Sequence, residues 1–130
     1  MDVNAFLGAY PWREVPGTDP EALLAAMDRN GIATAWVSHL PSVFWKDPTP
    51  GNTWLLETVK ERPRLRPVLS VHPGFPGWRE TLHQAREAGA PAVRCDPQFR
   101  GLAPAGPEMR ELVAACGAEG VLLMMAVRLE

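Results

Sequence analysis

The sequence predicts an α/β domain of consecutive parallel β-α units, and three observations carry that expectation. Short apolar, β-rich segments alternate with amphipathic helical segments along the whole chain, the pattern of strands joined by crossover helices. The last apolar segment, Val121-Leu122-Leu123-Met124-Met125-Ala126-Val127, is apolar throughout, as in a strand covered on both faces. Four strand ends share one punctuation, Tyr10-Pro11, Leu40-Pro41, His72-Pro73 and Asp96-Pro97. Proline cannot extend a ladder, so four loops leave one edge of the sheet in fixed directions.

Residues 3–7 form the first strand, closed by Gly8 and Tyr10-Pro11. Thr18-Asp19-Pro20-Glu21 then supplies a capping hydroxyl or carboxylate, a first-turn proline and an acidic residue, and Leu23, Leu24 and Met27 follow at helical spacing until Asn30-Gly31 stops the helix. Residues 32–37 form the second strand. A long loop through Phe44, Trp45 and Pro48 leads to Asn52, read as the cap of a second helix with Leu55, Leu56 and Val59 on its buried stripe, ended by Arg62-Pro63. Residues 68–71 are the third strand, and Trp78, Leu82, Ala85 and Ala88 mark the third helix. Residues 91–95 are the fourth strand, Met109, Leu112, Val113 and Cys116 the buried stripe of the fourth helix, and residues 121–127 the fifth strand. Trp36 and Trp54, inside regular segments, read as core, and His83 as a surface residue.

The 130 residues fit one domain over 1–130, with 46% hydrophobic and 22% charged residues. A formal charge of −2 gives no electrostatic basis for binding nucleic acid. No apolar run approaches the ~18 residues of a membrane span, and no basic region precedes an apolar leader, so a cytosolic address is expected. Cys95 and Cys116 form no Cys-x-x-Cys pair and read as reduced thiols. Neither a Gly-x-Gly-x-x-Gly turn nor a phosphate-binding Gly-x-x-x-x-Gly-Lys motif is present, which disfavours nucleotide cofactors.

In parallel α/β folds the carboxyl edge of the sheet holds the active site, which directs attention to Asp2, Asn4, Phe6, His39, His72, Arg94, Asp96, Arg128 and Glu130. His39 and His72 end adjacent strands; side chains pointing into one mouth suit general base work or metal binding, while the plainer reading is that each ring hydrogen-bonds its own loop. Arg94 and Asp96 share a face by the period-two rule. They either grip a substrate carboxylate and supply an acid or base, or pair to close the loop. Arg128 with Glu130 repeats the arrangement. Trp12, Trp45 and Trp78, with Phe44 and Phe75, suggest an aromatic rim for an apolar ring, or loops pinned by large side chains. Cys95 alternates to the face opposite Arg94 and Asp96 and reads as core.

Three stretches, Asp2-Val3-Asn4-Ala5-Phe6-Leu7-Gly8, Gly31-Ile32 with Ala35-Trp36-Val37-Ser38, and Val93-Arg94-Cys95-Asp96-Pro97, resemble in order and spacing the amino-terminal half of the amidohydrolase-related proteins. These are metal-dependent hydrolases and decarboxylases on a TIM-type (β/α)8 barrel. The resemblance implies strands one to five of such a barrel, an incomplete one, since eight strands take about 250 residues. The chain is then either the front portion of a longer protein or a half-barrel that pairs with a second copy; a complete flavodoxin-like open sheet is the alternative architecture.

The family's strand one usually carries Asp-x-His-x-His, whose imidazoles bind a divalent metal, and here those positions are Asn4 and Phe6. Asp96 matches the strand-four ligand only loosely, and Ala126-Val127-Arg128 stands where a strand-five histidine is expected. No cofactor is therefore expected, and a divalent metal such as zinc enters only if further strands supply its ligands. The resemblance implies a hydrolase or related decarboxylase acting on a small carboxylate- or amide-containing substrate. His72 and Asp96 are the catalytic candidates, and Asn4, His39, Arg94, Arg128, Trp12 and Trp45 the substrate-binding ones. The rival reading is a non-catalytic relative that binds a ligand or a partner.

Overall fold

A computed structural model describes residues 1–9 and 18–127. Five strands, β1 (Asp2–Leu7), β2 (Ala35–His39), β3 (Leu65–Ser70), β4 (Ala92–Arg94) and β5 (Leu122–Met124), alternate with four α-helices: α1 (Pro20–Arg29), α2 (Thr49–Val59), α3 (Trp78–Glu87) and α4 (Pro107–Glu119). The strands pair in chain order and every pair is parallel, forming a half-barrel with the helices on one face. A flavodoxin-like sheet would place β1 inside the order, at a switch point. This one has no switch point, and the open-sheet alternative falls.

Local chemistry explains the boundaries. The Asp19 carboxylate, not the Thr18 hydroxyl, caps α1 by accepting from the Ala22 N–H at 3.0 Å, with Pro20 preset for the first turn. The third strand begins earlier than the sequence suggests and contains Pro67. That proline precedes the start of the β3–β4 ladder at Val68, where a missing N–H removes no bond to β4. Gly120, at φ 70°, closes α4 in the left-handed conformation.

Strand alternation divides the side chains into two layers. Ala5, Leu7, Val37, Leu69, Val71, Val93 and Cys95 face the helices and pack with Met27, Leu55, Leu82, Met109 and Leu112 into one buried core. The opposite, inner face carries Asn4, Phe6, Ser38, Ser70, Arg94 and Met124, as the register pairs Phe6↔Ser38, Ser70↔Arg94 and Arg94↔Met124 show.

Four expectations need correction. Asn52 is not a cap; α2 starts three residues earlier, beside the Asp47 carboxylate that accepts from the Thr49 N–H at 2.9 Å, and Asn52 is buried within the helix. Trp54 is 40% exposed and Val113 52%, so neither belongs to the core. The fifth strand is three residues long and covered on one face only: Leu123 packs against the core, Leu122 is exposed, as are Met125 and Val127 after the strand, and among the described residues no strand pairs beyond it. His83 is exposed, as expected, 3.3 Å from Glu119. Among the described residues no helix is long and apolar enough to cross a membrane.

Candidate functional site

Arg94 ends β4 on the inner face because alternation from the buried Val93 sends it there, and Pro97 stops the strand three residues later. Although cationic, it is only 7% exposed. Its Nη2 donates to the Asn4 side-chain oxygen, linking β4 to β1. Its Nη1 lies 3.6 Å from Asp96 Oδ2, and its guanidinium carbon sits 4.7 Å from the centroid of the half-buried Phe6 ring. Burial pulls the Arg94 pKa below its ordinary value and Asp96 pushes it back up; a guanidinium starts so high that it stays protonated.

Asp96 is also buried, and its Oδ1 accepts from the Ala126 N–H at 3.0 Å, bracing the chain after β5. These contacts match the loop-closing reading of the Arg94–Asp96 pair: the two groups lie together, and the carboxylate also ties a loop. Arg94 Nε has no acceptor among the described residues. Neither has the Oγ of Ser70, its register partner, whereas the Ser70 backbone is fully engaged: Asn52 Nδ2 donates to its carbonyl, and its N–H donates to Asn52 Oδ1, each at 2.8 Å.

His72 folds back on its loop, its Nδ1 accepting from the Gly74 N–H at 3.1 Å. An accepting Nδ1 fixes the neutral tautomer with its proton on Nε2. Burial lowers the His72 pKa, and the positive charges of Arg100 and Lys46 lower it further. At neutral pH the ring is therefore an uncharged Nε2–H donor in a positively charged neighbourhood. It lines a narrow cleft with Phe75, Trp78 and Thr49.

His39 does not share that mouth. It is in register with Leu7 and so faces the helices, where its Nδ1 lies 2.7 Å from Ser42 Oγ and its ring meets Trp45 at 5.2 Å and Trp54 at 5.0 Å between centroids. Burial lowers its pKa too. Two glycines make the fit possible: a Cβ at Gly51 would fall on Ser42 Oγ and the His39 ring, and one at Gly8, whose φ is 96°, would sit 2.9 Å from His39 Cδ2. Arg100 clasps the same loop, Nη2 donating to the Ser42 carbonyl at 2.7 Å and Nη1 to the Trp45 carbonyl.

Among the other expected site residues, Asn4 and Trp45 are exposed, while Trp12 and Arg128 lie outside the described residues. Cys95 Sγ points at Met109 Sδ, 3.8 Å away, and burial pushes its pKa up to about 11, an inert core thiol. The sequence reading passed over Ser42, Ser70 and Arg100, and took Asn52 for a cap. Gly51 gave no signal of the close approach at His39, because a helix capped by Asn52 leaves it outside, whereas α2 encloses it.

A half-barrel of parallel strands with polar side chains gathered at its carboxyl edge defines a class, the (β/α)-barrel proteins whose sites lie at that edge. Solved structures that share this fold include a hydrolase and two decarboxylases. One is a probable 2-pyrone-4,6-dicarboxylic acid hydrolase from Acinetobacter baumannii with citric acid bound, 14% identical, with a TM-score of 0.63 over 95% of this chain and 48% of that one. Another is a 5-carboxyvanillate decarboxylase from Novosphingobium aromaticivorans with bound manganese and 3-methoxy-4-hydroxy-5-nitrobenzoic acid, 20% identical, with a TM-score of 0.66 over 78% of this chain and 32% of that one. A third is the 5-carboxyvanillate decarboxylase from Sphingomonas paucimobilis, 21% identical, with a TM-score of 0.67 over 81% and 35%. The chain thus spans from about a third to about half the length of these structures. No family model and no curated protein matches it.

The residues present do not fit a divalent ion such as the manganese of the Novosphingobium enzyme. Asn4 spends its side-chain oxygen on Arg94, Phe6 stacks against the same guanidinium, and a buried positive charge repels a metal cation at short range. Among the described residues no three His, Cys, Asp or Glu side chains gather closely enough to hold a metal.

Proposed function

We propose that the chain forms the amino-terminal part of a barrel enzyme of hydrolase or decarboxylase type, acting on a small carboxylate- or amide-containing substrate without a metal bound by these residues. One observation carries the reading: a buried guanidinium, braced by Asn4 and Asp96, keeps an unmet N–H at the edge where such barrels place their substrates. Arg94 anchors the substrate anion, Asn4 holds Arg94 in place, and Arg128 adds a second cation. His72 donates from Nε2 and Asp96 accepts a proton. Trp12 and Trp45 form an aromatic rim, with His39 fixing Trp45 and Trp54 from beneath. Further strands, or a second copy, close the barrel beyond the exposed β5.

The test is an assay of the whole natural polypeptide, in the presence of EDTA, on 2-pyrone-4,6-dicarboxylate and 5-carboxyvanillate. Turnover of either, with KM raised at least about tenfold by Arg94→Ala, is the expected result; turnover with an unchanged KM removes Arg94 from the substrate. A binding-only protein is the second reading. It is favoured by the double engagement of Asp96, which already holds an amide and faces a guanidinium, and binding of these compounds with no turnover supports it.

A further inference from the structure

Two buried polar atoms on neighbouring strands have no partner among the described residues: Ser70 Oγ at the end of β3 and Arg94 Nε at the end of β4. Ser70 and Arg94 are register partners, so their side chains leave one face of the sheet from strands about 4.8 Å apart. Buried donors in folded proteins are normally satisfied, and each exception calls for a reason. Trp36 Nε1 and Arg100 Nε are also unmet, but each stands without an unmet neighbour in register. The Ser70–Arg94 pair is different: an unmet hydroxyl and an unmet charged N–H belong to register partners on one face of the sheet, two donors for the two oxygens of one carboxylate.

We propose that Ser70 Oγ–H and Arg94 Nε–H form a two-donor cradle for a single carboxylate group of the ligand, with the guanidinium as the cation of this subsite in place of a metal ion. The inference rests on the carboxylate reading above for its class of ligand and adds the second donor and the metal independence. Asn4 and Asp96 hold the guanidinium from its other two nitrogens, so the fork is preorganised. Phe6 is the cover: its half-buried ring lies over the guanidinium, and the ligand enters as that ring turns aside.

Citrate, a compact polycarboxylate, is the probe. The whole natural polypeptide, freed of metal with EDTA, is titrated calorimetrically with citrate, with and without added manganese. The same affinity within about twofold in both conditions is expected, weakened at least about tenfold by Arg94→Lys, which keeps the charge but loses the Nε donor. Ser70→Ala is the cleaner variant, because it deletes only an unpartnered hydroxyl. It should weaken citrate about three- to tenfold at unchanged or slightly higher thermal stability, and Ser70→Thr should restore binding.

Manganese-dependent citrate binding, stoichiometric tight manganese, or wild-type affinity in both Ser70→Ala and Arg94→Lys overturns the proposal, as does failure to bind citrate at millimolar concentration. A loss of stability in Ser70→Ala without loss of binding assigns the hydroxyl a structural role and also overturns it. Catalysis is read separately: metal-free citrate binding that needs both residues sustains the cradle even if neither test substrate is turned over.

Discussion

Two regions of the same sheet edge use similar side chains in opposite ways. After β2, His39 and Ser42 satisfy each other at 2.7 Å, Arg100 gives both terminal nitrogens to backbone carbonyls and leaves only its Nε unmet, and Gly8 and Gly51 let the groups close up. At β3 and β4, Arg94 and Ser70 are as deeply buried, yet each keeps an unmet donor on the inner face. A polar cluster that spends its capacity internally fixes shape, because breaking it strands buried groups. A cluster that keeps capacity unspent in a buried position is suited to a ligand. The first region should therefore govern stability and the second binding.

The largest expected effect comes from forcing the first region apart. Gly51→Ala places a methyl group on Ser42 Oγ and the His39 ring and should cost about 2–3 kcal/mol in urea unfolding. A neutral result would mean the cluster is looser than its geometry. The second region should behave in the reverse sense. Replacing Arg94→Met together with Asp96→Asn leaves no uncompensated charge, so stability should stay within about 1 kcal/mol of wild type while citrate binding is lost; a large destabilisation would make that pair a structural brace.

The histidines sharpen the contrast through pH. Burial lowers the pKa of both His39 and His72, so between the folded value and the ordinary one, about 6.5, the unfolded chain binds more protons than the folded one. Stability is then full above about pH 6.5 and falls as the pH drops through that window, by less than about 1.4 kcal/mol per pH unit for each ring. Denaturant midpoints measured across the window should show this slope, reduced in His39→Gln; an unchanged slope in that variant would remove His39 as a source. The smallest effect is expected at His83→Ala, where the contact of an exposed ring with the partly buried Glu119 is lost and the cost should stay under about 0.5 kcal/mol.

Alternation and proline punctuation were enough to read the parallel β-α order and the Arg94–Asp96 face from the chain, since both depend on local periodicity. The side on which His39 emerges was equally local: counting from the buried Ala35 and Val37 puts residue 39 against the helices. The role of Asn52 was not legible, because an asparagine before an apolar stripe looks like a cap until its partner, the Ser70 backbone, is brought up from 18 residues away. Ser70 and Arg100 stayed hidden for the same reason; their meaning lies in which neighbours they meet or fail to meet across strands. The apolar fifth segment misled because composition reports what a strand is suited to pack against, and among the described residues only β4 pairs with it.

The most direct test of the account is the arginine Nε–H signal of Arg94 in a nitrogen–proton NMR spectrum of metal-free protein, assigned by its loss in Arg94→Lys, as citrate is added. That resonance should move downfield and its exchange with water should slow as the carboxylate docks, with no manganese present. A signal that stays still while citrate binds, or that moves only after manganese is added, would contradict it.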